Sequence, residues 1–185
     1  MAQGRHDRAA VELVTLGECL VGLVAAAPGP LAEVASFDRH VAGAEANVAV
    51  GVARLGHASA FIGRVGDDGF GQAIVRRLKG EGVDVSALTV DPGAPTGLLV
   101  RERRLLGPAE VLYYRRGSSA SRLSRDDIDS AEPLFAAGRW LHLTGITPAL
   151  SATCREAVGA ALQLAHAHGL TVSLDLNLRR KLWSE

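Results

Sequence analysis

Three short stretches bring together side chains able to hold a small polar molecule. In GAEANVAVGVARLG, residues 43–56, an acid and an amide, Glu45 and Asn47, stand in the first turn of an otherwise apolar helix. A helix start presents unpaired N–H groups and a partial positive charge. Gly43 has no Cβ, so a ligand can approach the backbone closely there. The Asn47 amide both donates and accepts, which suits a hydroxyl-rich ligand. Plain helix capping is the competing reading of Glu45 and Asn47. In YYRRGSSAS, residues 113–121, Tyr113 and Arg115 are two apart and so share one face of a strand. A guanidinium is a planar fork of donors that fits a carboxylate. The alternatives are an exposed strand arginine paired with Glu110 or Glu102, and a cross-strand aromatic contact for Tyr113. In DLNLRRKLW, residues 175–183, Asp175, Asn177 and Arg179 alternate. That places them on one face at the C-terminal end of a strand, the edge where open α/β sheets bind ligands. A surface role is the alternative for Arg179.

The elements that must position these residues follow from patterning. Apolar runs at 11–16, 59–65, 83–90, 140–144 and 170–176 read as strands, the last one buried. Helical spacing follows at 43–56, then from GDDGFG to about residue 79, from Ser124 to near Gly138, and from Ser151 to His168. Asp67 or Asp68 supplies the N-cap of the second helix, and the SRDD start caps the third. Strands alternating with helices specify a parallel sheet with helices on its faces. Runs at 20–24, 34–41, 96–103 and 110–116 break the alternation, the last two as a hairpin. They predict a small projecting β-layer, with strands at about 18–41 and 96–116.

The chain has 185 residues, enough for one domain with a real core. Lys plus Arg and Asp plus Glu balance at 20 each, so no net field steers a polyanion, and nucleic acid is not an expected partner. No run approaches the roughly 18 apolar residues of a membrane span. Cys19 and Cys154 lack metal-ligand or C-x-x-C spacing and read as reduced core residues of a cytoplasmic protein. The first ten residues are polar and read as a flexible leader. His142, between two leucines, reads as a packed polar contact, and Glu18, after Gly17, as ending the first strand near the pocket. His166 and His168 suit the negative end of a helix.

Taken together, AGAEANVAVGVARLGHASAFIGRVGDDGFG (42–71), TGLLVRE (96–102), LHLTGITPAL (141–150) and DLNLRRKLW resemble the ribokinase-like (PfkB) carbohydrate kinases. Glu45 stands where a small residue is usual, a substitution familiar in the 2-keto-3-deoxygluconate kinases. The resemblance implies a ribokinase-like α/β fold with a β-lid, and an ATP-dependent transfer of phosphate to a sugar acid. It implies a sugar pocket at Gly43, Ala44, Asn47, Leu99, Tyr113, Arg115, Ile146 and Arg179. Leu99 stands where a second Tyr is common in that subgroup. Asn177 and Arg179 would lie near the ATP phosphates, with Arg179 offsetting charge on the transferred group. ATP and Mg2+ are the implied cofactors of the complete enzyme, with none held securely by this chain alone and no metal-ligating residue within it. The family's G-A-G-D run, which supplies the anion hole and the catalytic Asp, is absent from these 185 residues. The chain is therefore expected to be the sugar-binding N-terminal portion, residues 11–185, without catalytic residues and inactive alone. A homodimer through the β-lid is a further implication. The rival readings are a kinase for a neutral sugar or nucleoside, and a non-catalytic sugar-binding or dimerisation module.

Overall fold

The apolar run at the start of the described residues, 11–183 in the computed structural model, forms β1 (Leu13–Leu16) at the middle of a five-stranded sheet. The leader expected at 1–10 lies outside the described residues. Beside β1 run β4 (Ser59–Gly66) and β8 (Trp140–Thr144), with β5 (Leu88–Asp91) and β9 (Thr171–Asp175) outermost. The order is β5-β4-β1-β8-β9 and every pairing is parallel. A parallel sheet buries both faces, so its strands must feed two cores. On one side, Ala46 and Ala49 of α1 (Ala44–Arg54) and Ile74 and Leu78 of α2 (Gly69–Gly80) pack with Phe61 and Val65. On the other, Val14, Leu16 and Leu141 meet Ile128 of α3 (Arg125–Ser130), Phe135 of α4 (Glu132–Ala137) and the alanine stripe of α5 (Ala152–Ala167). Small residues at 157, 160, 161 and 165 let α5 lie close to the strands.

The four runs outside the alternation form a second sheet in the order β3-β2-β6-β7, made of β2 (Leu20–Ala25), β3 (Phe37–Ala42), β6 (Leu98–Arg101) and β7 (Val111–Tyr114). Its central pair, β2 and β6, is parallel, and the outer pairs are antiparallel. Asp68 ties the two sheets together. Its Oδ1 caps α2 by accepting from the N–H groups of Phe70 and Gly71 at 3.0 and 2.7 Å, while Oδ2 accepts from the Thr96 N–H at 2.8 Å, just before β6.

Three expectations differ from what forms. The segment 83–90 is strand only from Leu88, because the Asp84 carboxylate accepts from the Ser86 N–H and turns the chain. The helix expected from Ser124 to near Gly138 is two helices, divided at Ala131, with Pro133 in the first turn of the second. The expected buried strand at 170–176 is an edge strand. Leu174 is 58 % exposed and Val172 44 %, because β9 is outermost and these side chains line an open apolar groove with Val158 and Leu162 of α5 rather than a closed core.

Candidate functional site

Helix α1 begins at Gly43, which caps it without a side-chain hydrogen bond. A Cβ there would stand 2.7 Å from the carbonyl oxygen of Glu18, so glycine is required by close approach. Two positions on, Glu45 turns into the protein. It is 1 % exposed, and its Oε1 accepts from the hydroxyls of Thr144 and Thr147 at 2.7 and 2.6 Å. Glu45 is thus not a solvent-facing cap. Gly17, at the end of β1, makes room for it, since a Cβ at that position would lie 2.5 Å from the Glu45 carboxyl carbon. Thr144 also accepts from the Ile146 N–H at 3.1 Å, which fixes the turn after β8.

A second acid, Glu18, is 3 % exposed and faces the same space. Arg115 donates to its Oε2 at 2.7 Å, and Ser118 donates to its Oε1 at 3.4 Å. Arg115 therefore pairs with neither Glu102 nor Glu110: Glu102 is taken by Arg104, and the partner of Arg115 comes from the far end of the sequence. Above this pair the guanidinium carbon lies 4.5 Å from the centre of the Tyr113 ring. The shared face expected of Tyr113 and Arg115 exists, and there they stack on one another.

Burial pushes both carboxyls upward, each against its own partners. For Glu18 the Arg115 guanidinium pulls back, with help from Ser118, and the Glu45 charge adds to the rise. For Glu45 only the hydroxyls of Thr147 and Thr144, its own N–H and the more distant His142 oppose desolvation. No cation pairs with Glu45 among the described residues. Burial likewise raises the Cys19 thiol; Cys19 and Cys154 are both buried and free.

The strand end at Asp175 departs from simple alternation. The Asp175 carboxylate accepts from the Asn177 N–H at 2.9 Å, and Asn177 adopts the left-handed region with φ of 37°, which asparagine tolerates better than most residues. The chain then turns, and Arg179 stands exposed with no ion pair among the described residues.

These groups enclose one cavity of about 390 Å3. Every residue singled out from the sequence lines it: Gly43, Ala44 and Asn47 from α1, Leu99 from β6, Tyr113 and Arg115 from the hairpin, Ile146 after β8, and Asn177 and Arg179 after β9. Sequence reasoning missed the two threonines and the depth at which Glu45 sits. The signal available was the hydroxyl pair three apart in LTGIT, residues 143–147. His142 also lines the cavity, with Nδ1 at 3.2 Å from the Ser173 hydroxyl.

Toward the outside the cavity meets a wider groove of about 800 Å3 that shares Tyr113, Arg115 and Arg179 and adds Arg116, Arg180 and Lys181. The buried acids Glu18 and Glu45 thus line the floor, and Arg179 and exposed Asp175 stand toward the mouth, where the groove adds further cations. A still larger cleft of about 900 Å3 lies away from this site, beside β5, α3 and α4. Two of its acids are engaged in structure: Asp127 completes the capping box of α3, and Asp84 holds its own turn. Among the described residues no group of three His, Cys, Asp or Glu side chains is placed to hold a metal ion, and no helix is long and apolar enough to cross a membrane.

Comparison with known proteins bears on the whole of this architecture. The family described as pfkB family carbohydrate kinase matches residues 11–185. A 2-dehydro-3-deoxygluconokinase of Thermoproteus tenax is 44 % identical over 100 % of this chain and 58 % of its own length. A fructokinase of Solanum tuberosum is 36 % identical over 93 % of this chain and 53 % of its own. Among solved structures, the 2-dehydro-3-deoxygluconokinase of Thermotoga maritima superposes with a TM-score of 0.88 at 33 % identity, covering 94 % of this chain and 53 % of that one. An uncharacterized sugar kinase from Pyrococcus horikoshii, solved with ATP, gives 0.83 at 30 % identity, covering 92 % and 55 %. The chain spans about half the length of the relatives it matches.

Proposed function

The chain belongs to the pfkB family of carbohydrate kinases, and from that premise we propose that it forms the sugar-binding part of a cytoplasmic kinase that phosphorylates a sugar acid, 2-keto-3-deoxygluconate, on its primary hydroxyl. The observation that carries this reading is the mouth of the cavity. Arg179 has no acidic partner among the described residues and lines the same cavity as the Arg115–Tyr113 stack and Asn47. A guanidinium with no acidic partner among the described residues, at the entrance of a cavity with room for a monosaccharide, is a seat for a carboxylate. Asn47 and the free N–H groups of α1 serve the ligand's hydroxyls. Leu99, opposite Tyr113 in the β6–β7 register, supplies an apolar wall.

Asn177 and Arg179 fit a nucleotide's phosphates by their chemistry. The Asn177 backbone is held by Asp175, and the Arg179 guanidinium makes no ion pair among the described residues. Bound ATP with Mg2+ supplies the phosphoryl group and its charge neutralisation; this chain supplies donors that orient the acceptor sugar and Arg179 to balance charge. The two carboxyls of the floor are buried and hydrogen-bonded in structure, and neither is assigned as the base that takes the hydroxyl proton. The chain alone is accordingly expected to transfer no phosphate. Incubating it with ATP, Mg2+ and 2-keto-3-deoxygluconate should give no turnover, while a protein spanning the full length of the relatives should phosphorylate the acid. Turnover by the 185-residue chain, or a full-length protein that ignores the acid, contradicts the reading. We propose in addition that two copies pair through the β3-β2-β6-β7 sheet, which light scattering tests directly.

One observation favours a second reading, a kinase for a neutral sugar. The Glu18 carboxylate already occupies one nitrogen of Arg115, so that guanidinium is partly neutralised before any ligand arrives. Fructose would then be the better ligand, and the ratio of affinities for acid and fructose separates the two.

A further inference from the structure

Glu45 is the buried acid of this site that lacks a cation among the described residues. Its neighbour Glu18 shows the usual arrangement, a carboxylate matched by Arg115 at 2.7 Å. Among the described residues Glu45 has neutral donors alone: two hydroxyls, both on Oε1, and its own N–H. Its second oxygen makes no side-chain hydrogen bond among the described residues, and the residue lines the cavity. Two threonine hydroxyls could be satisfied equally well by a glutamine carbonyl. An acid at this point must therefore offer something an amide does not, which is a change of charge.

The charged and titratable groups facing this space come from every element around it: Glu18 between β1 and β2, Tyr113 on β7, His142 on β8, Asp175 ending β9, Arg115 beyond β7 and Arg179 beyond β9. Four of the seven, counting Glu45, are Tyr113, His142 and the two arginines; the other three are carboxyls, and one of the two arginines is already engaged by Glu18. An anionic ligand entering beside an ionised Glu45 would meet repulsion across a poorly solvated gap. A neutral Glu45 would instead donate a hydrogen bond from that second oxygen, as a carboxylic acid kept protonated by its surroundings does.

We propose that Glu45 is a specificity-determining residue that takes a proton from solvent when a sugar acid binds, and donates it in a hydrogen bond to the ligand, whereas a neutral sugar binds without proton uptake. The inference rests on the sugar-acid reading above. It adds that the site recognises the acid as a pair of ligand and proton. The upward push of burial on the Glu45 carboxyl supports it, since a carboxyl already resisting ionisation is the one that accepts a proton most readily.

Calorimetry of the whole chain with 2-keto-3-deoxygluconate tests this, in buffers of different ionisation enthalpy across about pH 6 to 9, the span into which burial can move a carboxyl. The wild-type chain should take up a proton on binding, with affinity falling toward about tenfold per pH unit where free Glu45 is ionised. Glu45→Gln keeps an acceptor for both threonines and adds a permanent donor. It should bind the acid with little pH dependence and no proton uptake. Fructose should bring no proton with it. Binding of the acid without uptake, or uptake unchanged in Glu45→Gln, overturns the inference alone. A chain that binds fructose and not the acid, or neither sugar, overturns the sugar-acid reading and this inference together. If Glu45→Gln does not fold, the wild-type buffer series decides by itself.

Discussion

The floor and the mouth of the cavity are built on opposite plans. At the floor, Glu18 and Glu45 are buried, and each is held by hydrogen bonds from residues roughly one hundred positions away in the chain, |i−j| from 97 to 102. At the mouth, Asn47, Tyr113 and Arg179 are exposed, and Arg179 makes no ion pair among the described residues. Buried polar groups must be satisfied within the protein, so the floor is committed to structure. Exposed donors remain free to exchange water for a ligand. The difference teaches where substitution should hurt stability and where it should hurt binding, although the two regions are neighbours in one small space.

The largest effect should come from the residue that belongs to both regions. Arg115→Ala leaves the Glu18 carboxylate buried without its cation and should destabilise the chain by about 3–5 kcal/mol in urea unfolding. A loss under about 1 kcal/mol would mean that Glu18 is neutral in the folded chain and that the floor is less committed than its geometry implies. Next, Thr147→Val removes one of the two donors to Glu45 and should cost about 1–3 kcal/mol, read as a lower midpoint with unchanged slope.

A smaller contribution is written in pH. Burial holds the folded Glu45 carboxyl above its ordinary value, with the threonine bonds opposing. The folded chain thus keeps a proton that the unfolded chain has released. Stability from this group is fully present below the unfolded carboxyl range and is lost as pH rises through the folded value. Unfolding followed from acid toward neutral pH should show that decline, and Glu45→Gln should flatten it. Glu18, also raised by burial, contributes in the same direction and remains in the variant. The smallest effect on stability belongs to the mouth: Arg179→Ala should fall within about 0.5 kcal/mol of the parent. A large loss there would erase the distinction between the two regions.

Much of the fold was legible because helices and strands alternate with clear punctuation. The helix starts at Asp68 and Ser124 were read from capping chemistry. The residues around the cavity were legible for a different reason, their resemblance to known motifs. What stayed hidden depended on contacts distant in sequence. Nothing near Arg115 announces Glu18, ninety-seven positions earlier. Nothing in GAEAN tells whether Glu45 faces water or the sheet; Thr144 and Thr147 decide it, and they lie beyond α3 and α4. Composition alone misled for β9, whose apolar run suggested burial while its side chains stand at the sheet's edge. The split between α3 and α4 was the most local miss, with Pro133 visible in the sequence throughout.

The central claim is that the mouth of this cavity is a carboxylate seat. It is tested most directly by the affinities of the chain and of Arg179→Ala for 2-keto-3-deoxygluconate and for fructose, measured at one pH and salt. The account predicts that the parent prefers the acid and that Arg179→Ala loses about 10- to 100-fold for the acid, the worth of a charge-assisted hydrogen bond, while its weak binding of fructose is unchanged. Equal losses for both sugars, or a parent chain that prefers fructose, would contradict it.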